Sequence, residues 1–233
     1  MSETAIFGTT ALVALSGGGA SAAVPHPMFA VQIHLARQVY VLPHNNSTVL
    51  YDQSAGSNGV GVLSQNFEPT FSIYDSNGAD DFPSLGSAKI KEVVANGMYR
   101  DGSGPANSFD VILYSQIKTK KNGTVNAKVR ATCSQQRYTD LTGAGFPDIE
   151  LSGCQGRLGG FDAGGWVAVI ANMSFEIGGE WAWNTNDTIN GSPSLWRNPG
   201  GGFSDCTQYH TTTDCDTTFF GEGGDFAFAL LGR

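Results

Sequence analysis

The 233-residue sequence predicts an all-β protein, a two-sheet antiparallel β-sandwich of jelly-roll type with an N-terminal extension. Three observations predict it. Alternation of apolar and polar residues at period two recurs along the chain, whereas the 3.6-residue period of an amphipathic helix is nearly absent. The alternating segments stop at Gly, Asn, Asp or Pro, and the 31 glycines gather in loop-like runs such as SGGG, DAGG, IGGE and NPGGG. Charged residues make up 15% of the chain, below the usual quarter, while 40% is hydrophobic, enough to fill a core between two layers.

The chain divides into three parts. In residues 1–26 an apolar run from Ala5 to Leu15 precedes the small residues Ala20, Ser21, Ala22 and Ala23. That order fits a signal peptide with an A-x-A-like cleavage site. No Lys or Arg precedes the run and Glu3 is acidic, so a flexible tail is the other reading. Residues 27–44, PMFAVQIHLARQVYVLPH, form an extension in which Phe29, Val31, Ile33, Leu35 and Val39 alternate with polar positions. A helical period also fits through Met28, Val31, Leu35, Val39 and Leu42. The β-branched content favours a long strand, bracketed by Pro27 and Pro43. Such a strand can pair at the edge of its own sheet or be donated to a neighbouring subunit.

Residues 45–233 make the sandwich. Its expected strands are STVLYDQ (47–53), VGVLSQNF (60–67), TFSIYD (70–75), KIKEVVAN (89–96), SFDVILYSQI (108–117), TVNAKVRATC (124–133), DIELSGC (148–154), GWVAVIANMSF (165–175), EWAWNTN (180–186) and DFAFALLG (225–232). In SFDVILYSQI both faces are apolar in mid-strand, as in a central strand covered on both sides.

Charge and cysteine bound the partners and the compartment. A net charge of −8 argues against nucleic acid and anionic membranes, which require clustered Lys and Arg. The one basic cluster, Lys118, Lys120 and Lys121 beside Asn122–Gly123, reads as a solvated hairpin tip. No segment reaches the 18 or so apolar residues of a membrane-spanning helix. Cys133, Cys154, Cys206 and Cys215 contain no Cys-x-x-Cys, which disfavours zinc. Of the three ways to join them, 133–154 and 206–215 are favoured. The first pair ends two expected strands, and the second staples the polar stretch FSDCTQYHTTTDCD. Two bridges place the protein in an oxidising compartment, secreted or at the cell surface.

Five stretches carry a family resemblance: VLYDQ (49–53), SQNFEPTFSIYDSNGADDF (64–82), SFDVILY (108–114), SLWRNPGGGF–SDC (194–206) and the closing DFAFALLG. In order and spacing, residues from about 47 to the end resemble a β-sandwich domain of exported bacterial surface proteins. These are proteins of the kind that carry PEP-CTERM-type or choice-of-anchor sorting tails. Trp196-Arg197-Asn198-Pro199 before a glycine run and a cysteine is the most specific part. The resemblance implies an extracellular sandwich with no established activity, and cysteine pairs at Cys133/Cys154 and Cys206/Cys215. It does not cover the N-terminal extension, and this chain reaches Arg233 without the anchor helix or sorting tail.

Two clusters suggest sites. YDSNGADDF (74–82) crowds Asp75, Asp80 and Asp81 together, a candidate for structural Ca²⁺ at a strand end. Adjacent Asp80 and Asp81 on a strand face opposite ways, so at most one of them joins Asp75 at a metal unless a bulge intervenes. The competing reading is Asx-turn chemistry at Asp75 and Asn77. Trp181, Trp183 and Tyr209 are candidate platforms for stacking on sugar rings, against the alternative that they fill the core. Glu176 and Glu180 have the outer spacing of a glycosidase E-x-D-x-E strand, but lack its central aspartate and stand about 13 Å apart on a regular strand. No catalytic set is assigned. The expected function is therefore a non-catalytic structural or adhesive surface protein, self-associating through its N-terminal strand into a fibre or sheath. A carbohydrate-binding module is the alternative. Expected partners are copies of itself, other surface proteins or glycans.

Overall fold

A computed structural model describes residues 47–55, 57–120, 125–215 and 224–233, with 57 and 58 described by backbone alone. The expected signal peptide or tail (1–26) and the expected extension strand with Phe29, Val31, Ile33, Leu35 and Val39 lie outside the described residues.

In chain order the strands are β1 (Thr48–Asp52), β2 (Ser57–Leu63), β3 (Gln65–Asn66), β4 (Asn77–Phe82), β5 (Gly86–Ala95) and β6 (Gly97–Arg100). There follow β7 (Ser108–Thr119), β8 (Val125–Gln136), β9 (Tyr138–Asp140), β10 (Pro147–Glu150), β11 (Gln155–Gly156) and β12 (Gly159–Phe161). The last are β13 (Gly165–Asn172), β14 (Glu180–Asn186), β15 (Leu195–Arg197), β16 (His210–Thr211), β17 (Asp225–Phe226) and β18 (Phe228–Gly232). Two single-turn helices, α1 (Phe175–Gly178) and α2 (Thr212–Cys215), and a 3₁₀ segment at Pro69–Tyr74 complete the described elements.

The protein is all-β and sandwich-like, with three mainly antiparallel sheets and no closed barrel. A six-stranded sheet runs β1-β18-β5-β10-β9 with β12 on β5, and an eight-stranded sheet runs β11-β8-β7-β13-β4-β15-β16 with β3 on β13. A four-stranded sheet is built on β14, which carries β17, β2 and β6. Alternation explains how they pack. In β13, Val167, Val169 and Ala171 enter the main core, while Ala168 joins a second cluster with Ala79, Tyr114, Leu195 and Tyr209 on the opposite face. In β18, Phe228 and Leu230 face the main core, and Ala229 and Leu231 pack with Val94 and Phe146 behind it. The strands at the centre of the two larger sheets are thus apolar on two faces, which accounts for the double apolar pattern of SFDVILYSQI.

Both cysteine pairs form as expected. Cys133 and Cys154 tie β8 to the loop after β10 with Cα atoms 4.2 Å apart, and Cys206 and Cys215 close the loop around β16 at 5.4 Å.

Two expectations fail. TFSIYD is not a strand: Pro69 starts a 3₁₀ segment there, Phe71 is buried, and Ile73 is exposed. Pro at the first turn presets φ and lacks the N–H that a ladder would use. Conversely, the acidic stretch 74–82, most of which lies outside the expected strands, is mainly strand β4, held between β13 and β15. The small residues make this fit. A Cβ on Gly78 would stand 2.8 Å from Cζ of Phe226, so the ring closes directly over the backbone.

An acidic cleft at the strand ends as candidate functional site

The register of β4 decides where its acids go. Asp80 lies opposite Val167, whose side chain is in the main core, and Asp81 lies opposite Trp166, which packs on the other face. The two carboxyls therefore leave on opposite sides, as strand alternation requires. Asp80 is fully buried and tightly held. Its Oδ2 accepts the Phe226 amide at 2.6 Å and Nε2 of Gln53 at 2.9 Å, and its Oδ1 accepts the Asp81 amide at 2.8 Å. Gln53 also donates to the Phe226 carbonyl at 2.7 Å and accepts from the Tyr51 hydroxyl. The side chains of Tyr51 and Gln53 thereby clamp the start of DFAFALLG to β4.

Asp81 and Asp225 hold the loop that follows β14. Oδ2 of Asp81 accepts the Ser192 amide at 3.0 Å, and Oδ2 of the buried Asp225 accepts the Asn190 amide. Gly191 sits between them at φ 112°, and a Cβ there would stand 2.6 Å from Oδ1 of Asp81. Glycine is required twice over, by conformation and by space. Tyr51, Asp52, Gln53, Asp81, Asn186 and Asn190 are among the residues that wall a cleft of about 610 Å³, within the size range of small-ligand sites.

Negative charge is concentrated here, and among the described residues no Lys, Arg or His walls the cleft. Burial, then the charges of Asp80, Asp225, Asp81 and Asp52, push the Tyr51 hydroxyl up to about 12. Asp225 is pushed up to about 6 by burial, with the Asn190 amide opposing and Asp81 adding. Burial and the Asp225 charge hold Asp80 well above the ordinary carboxylate range, although the Phe226 and Asp81 amides oppose them. Burial raises Asp81 as well, against its bonds to Ser192. Chemically the described wall of the cleft presents carboxylate, amide and hydroxyl groups.

Asp75 does not join this group. Its Oδ1 accepts the Phe67 amide at 2.7 Å, before β4 begins, and burial raises it. The expected set of Asp75, Asp80 and Asp81 is corrected accordingly, because one precedes the strand and the other two diverge from it. Among the described residues, no group of three or more His, Cys, Asp or Glu stands close enough to hold a metal ion. Asp225, Gln53 and Tyr51 are the partners that sequence reasoning missed. Their signal was YDQ and DF, two short polar interruptions in apolar strands.

The aromatic platform is also corrected. Trp181 and Trp183 are 0% exposed and Tyr209 is 1% exposed, so none offers a face to a sugar. Trp183 stacks on Phe226 at 4.4 Å and 11°, and its Nε1 donates to the Ala227 carbonyl at 3.0 Å. Trp181 meets Phe109 edge-on at 5.0 Å and donates to the Gly145 carbonyl at 2.8 Å. Tyr209 lies beneath the Arg197 guanidinium at 4.6 Å. The physical reason is that β14 is covered on both sides, so every one of its residues is buried.

Comparison with models of known families, with curated proteins and with solved structures finds no match.

Proposed function

We propose that this chain is a non-catalytic, extracellular surface protein of structural or adhesive type, acting through contacts with other proteins, including copies of itself. The observation that supports the reading is the outer edge of β1. Among the described residues, β1 pairs on one side only, with β18. The open side presents backbone N–H and C=O groups to any strand of suitable pattern. The alternating segment 27–42 ends a few residues before β1 and has that pattern. Strand addition at this edge by a neighbouring copy would propagate from subunit to subunit. The two disulfides and the resemblance to exported surface domains support the extracellular part. Among the described residues, no helix is long and apolar enough to cross a membrane.

Analytical ultracentrifugation of the full chain and of a form lacking residues 1–44 tests the reading. The full chain is expected to form concentration-dependent oligomers and the truncated form to remain monomeric. Equal oligomeric states for the two would refute strand donation.

A further inference from the structure

The sequence holds five Asn-Gly pairs, beginning at Asn58, Asn77, Asn96, Asn122 and Asn190. Such pairs share one covalent chemistry. The glycine amide nitrogen can attack the asparagine side-chain carbonyl beside it, and a glycine has no Cβ to obstruct the approach. Three of these asparagines have described side chains, and the fold treats them differently. Asn77 is 4% exposed in β4, and the Gly78 amide donates to Oγ of Ser64 at 2.9 Å. Asn96 is 8% exposed, its Oδ1 accepts from Nδ2 of Asn184 at 2.8 Å, and Gly97 lies opposite Trp183 in the ladder with β14. Asn190 instead stands exposed in the loop after β14, outside any strand or helix. Among the described residues, neither its side chain nor the Gly191 amide makes a hydrogen bond. The fold also demands the glycine, because φ at 191 is 112° and a Cβ there would strike Asp81.

We infer that Asn190-Gly191 is a spontaneous modification site in the cleft wall, where asparagine converts to aspartate and isoaspartate with water as co-reactant. The Gly191 nitrogen bonds to Cγ of Asn190, the Cγ–Nδ2 bond breaks, and ammonia leaves with the Gly191 amide proton. Water then opens the succinimide ring. Cleavage at Cγ gives aspartate, whereas cleavage at the main-chain carbonyl gives isoaspartate, whose backbone runs through the side chain and is one methylene longer. Either product adds a carboxylate to a wall that already carries Asp52 and Asp81. Isoaspartate also lengthens the path between the Asn190 amide on Asp225 and the Ser192 amide on Asp81, the bonds that seat this loop. Modification therefore loosens the loop from β4 and β17. This inference is independent of strand donation at β1.

Peptide mapping by mass spectrometry tests it, on full-length oxidised protein kept at 37 °C and pH 8 in H₂¹⁸O. The isotope marks hydrolysis that occurs during the incubation. Label is expected at Asn190 as both aspartate and isoaspartate, faster than at Asn77 or Asn96 by a factor on the order of a hundred, because loops open far more readily than core strands. In reduced, urea-unfolded protein the three sites should react at similar rates. Asn190→Gln keeps the backbone amide but disfavours ring closure, so the aged parent should lose several degrees of thermal midpoint relative to the aged variant. Equal labelling of Asn190 and the two buried sites in folded protein would overturn the inference. So would an Asn190 that reacts only after unfolding, or a midpoint that falls equally in parent and variant.

Discussion

Replacing Trp183 by alanine should remove one of the main supports of the core. The indole is fully buried, stacked on Phe226, edge-on to Phe228 at 5.9 Å and beside Trp181 at 6.4 Å. Truncation of a buried Trp or Phe to Ala costs about 3–5 kcal/mol in lost transfer energy and cavity. Aromatic pairing adds about 0.5–1.5 kcal/mol, which places this site near the top of that range. The lost indole hydrogen bond adds little beyond this. The Ala227 carbonyl keeps a second donor, the Asn96 amide at 2.9 Å, so no buried acceptor is orphaned. For a domain of this size each kcal/mol lowers the midpoint by about 2–4 °C, which gives a fall of about 10–20 °C. Trp183→Phe keeps a ring on Phe226 and should cost about 1–2 kcal/mol. The assay is reversible urea unfolding of the oxidised protein, followed by tryptophan fluorescence and far-UV circular dichroism. A Trp183→Ala protein within about 1 kcal/mol of the parent would refute the packing argument.

Two further outcomes follow from buried polar groups. The Asn198 side chain is fully buried, donates to the carbonyls of Ile73 and Asp75 at 2.9 and 2.8 Å, and accepts the Phe203 amide at 2.6 Å. Asn198→Ala should cost about 2–4 kcal/mol in urea unfolding, and Asn198→Asp no less, because a carboxylate would face two carbonyls. Glu180 is buried with neither carboxylate oxygen hydrogen-bonded, and burial pushes it up to about 8, with Arg100 opposing and Asp101 adding. A folded-state value above the unfolded one means that the native protein binds the extra proton. That contribution is complete below the ordinary value of 4.5 and is lost as pH rises through about 8. Glu180→Gln should therefore flatten the loss of stability over that window, whereas parallel pH profiles for variant and parent would exclude the role assigned to Glu180.

The parts of this fold legible from sequence are those where local pattern and tertiary environment agree. Period-two alternation located the central strands β7 and β13, where neighbours on both sides reinforce the extended conformation. The cysteine pairing was legible from strand ends and loop length. Residues 70–75 misled because Phe71 and Ile73 alternate like a strand, yet Pro69 and the Asp75 cap set a 3₁₀ turn. The acidic stretch misled in the opposite direction. Asp80 belongs to a strand because Gln53 and the Phe226 amide, 27 and 146 residues away in sequence, satisfy its carboxyl. No local pattern contains that information. The tryptophans of β14 posed a similar problem. Two indoles at i and i+2 share a face whether it meets solvent or core, and only the sheets packed around β14 decide between them.

Non-reducing peptide mapping by mass spectrometry tests the central claim, that two oxidised pairs clamp an all-β sandwich. The account predicts peptides joined as Cys133–Cys154 and Cys206–Cys215 and no titratable thiol in the native protein. Any other linkage, or free thiols in folded material, would contradict it.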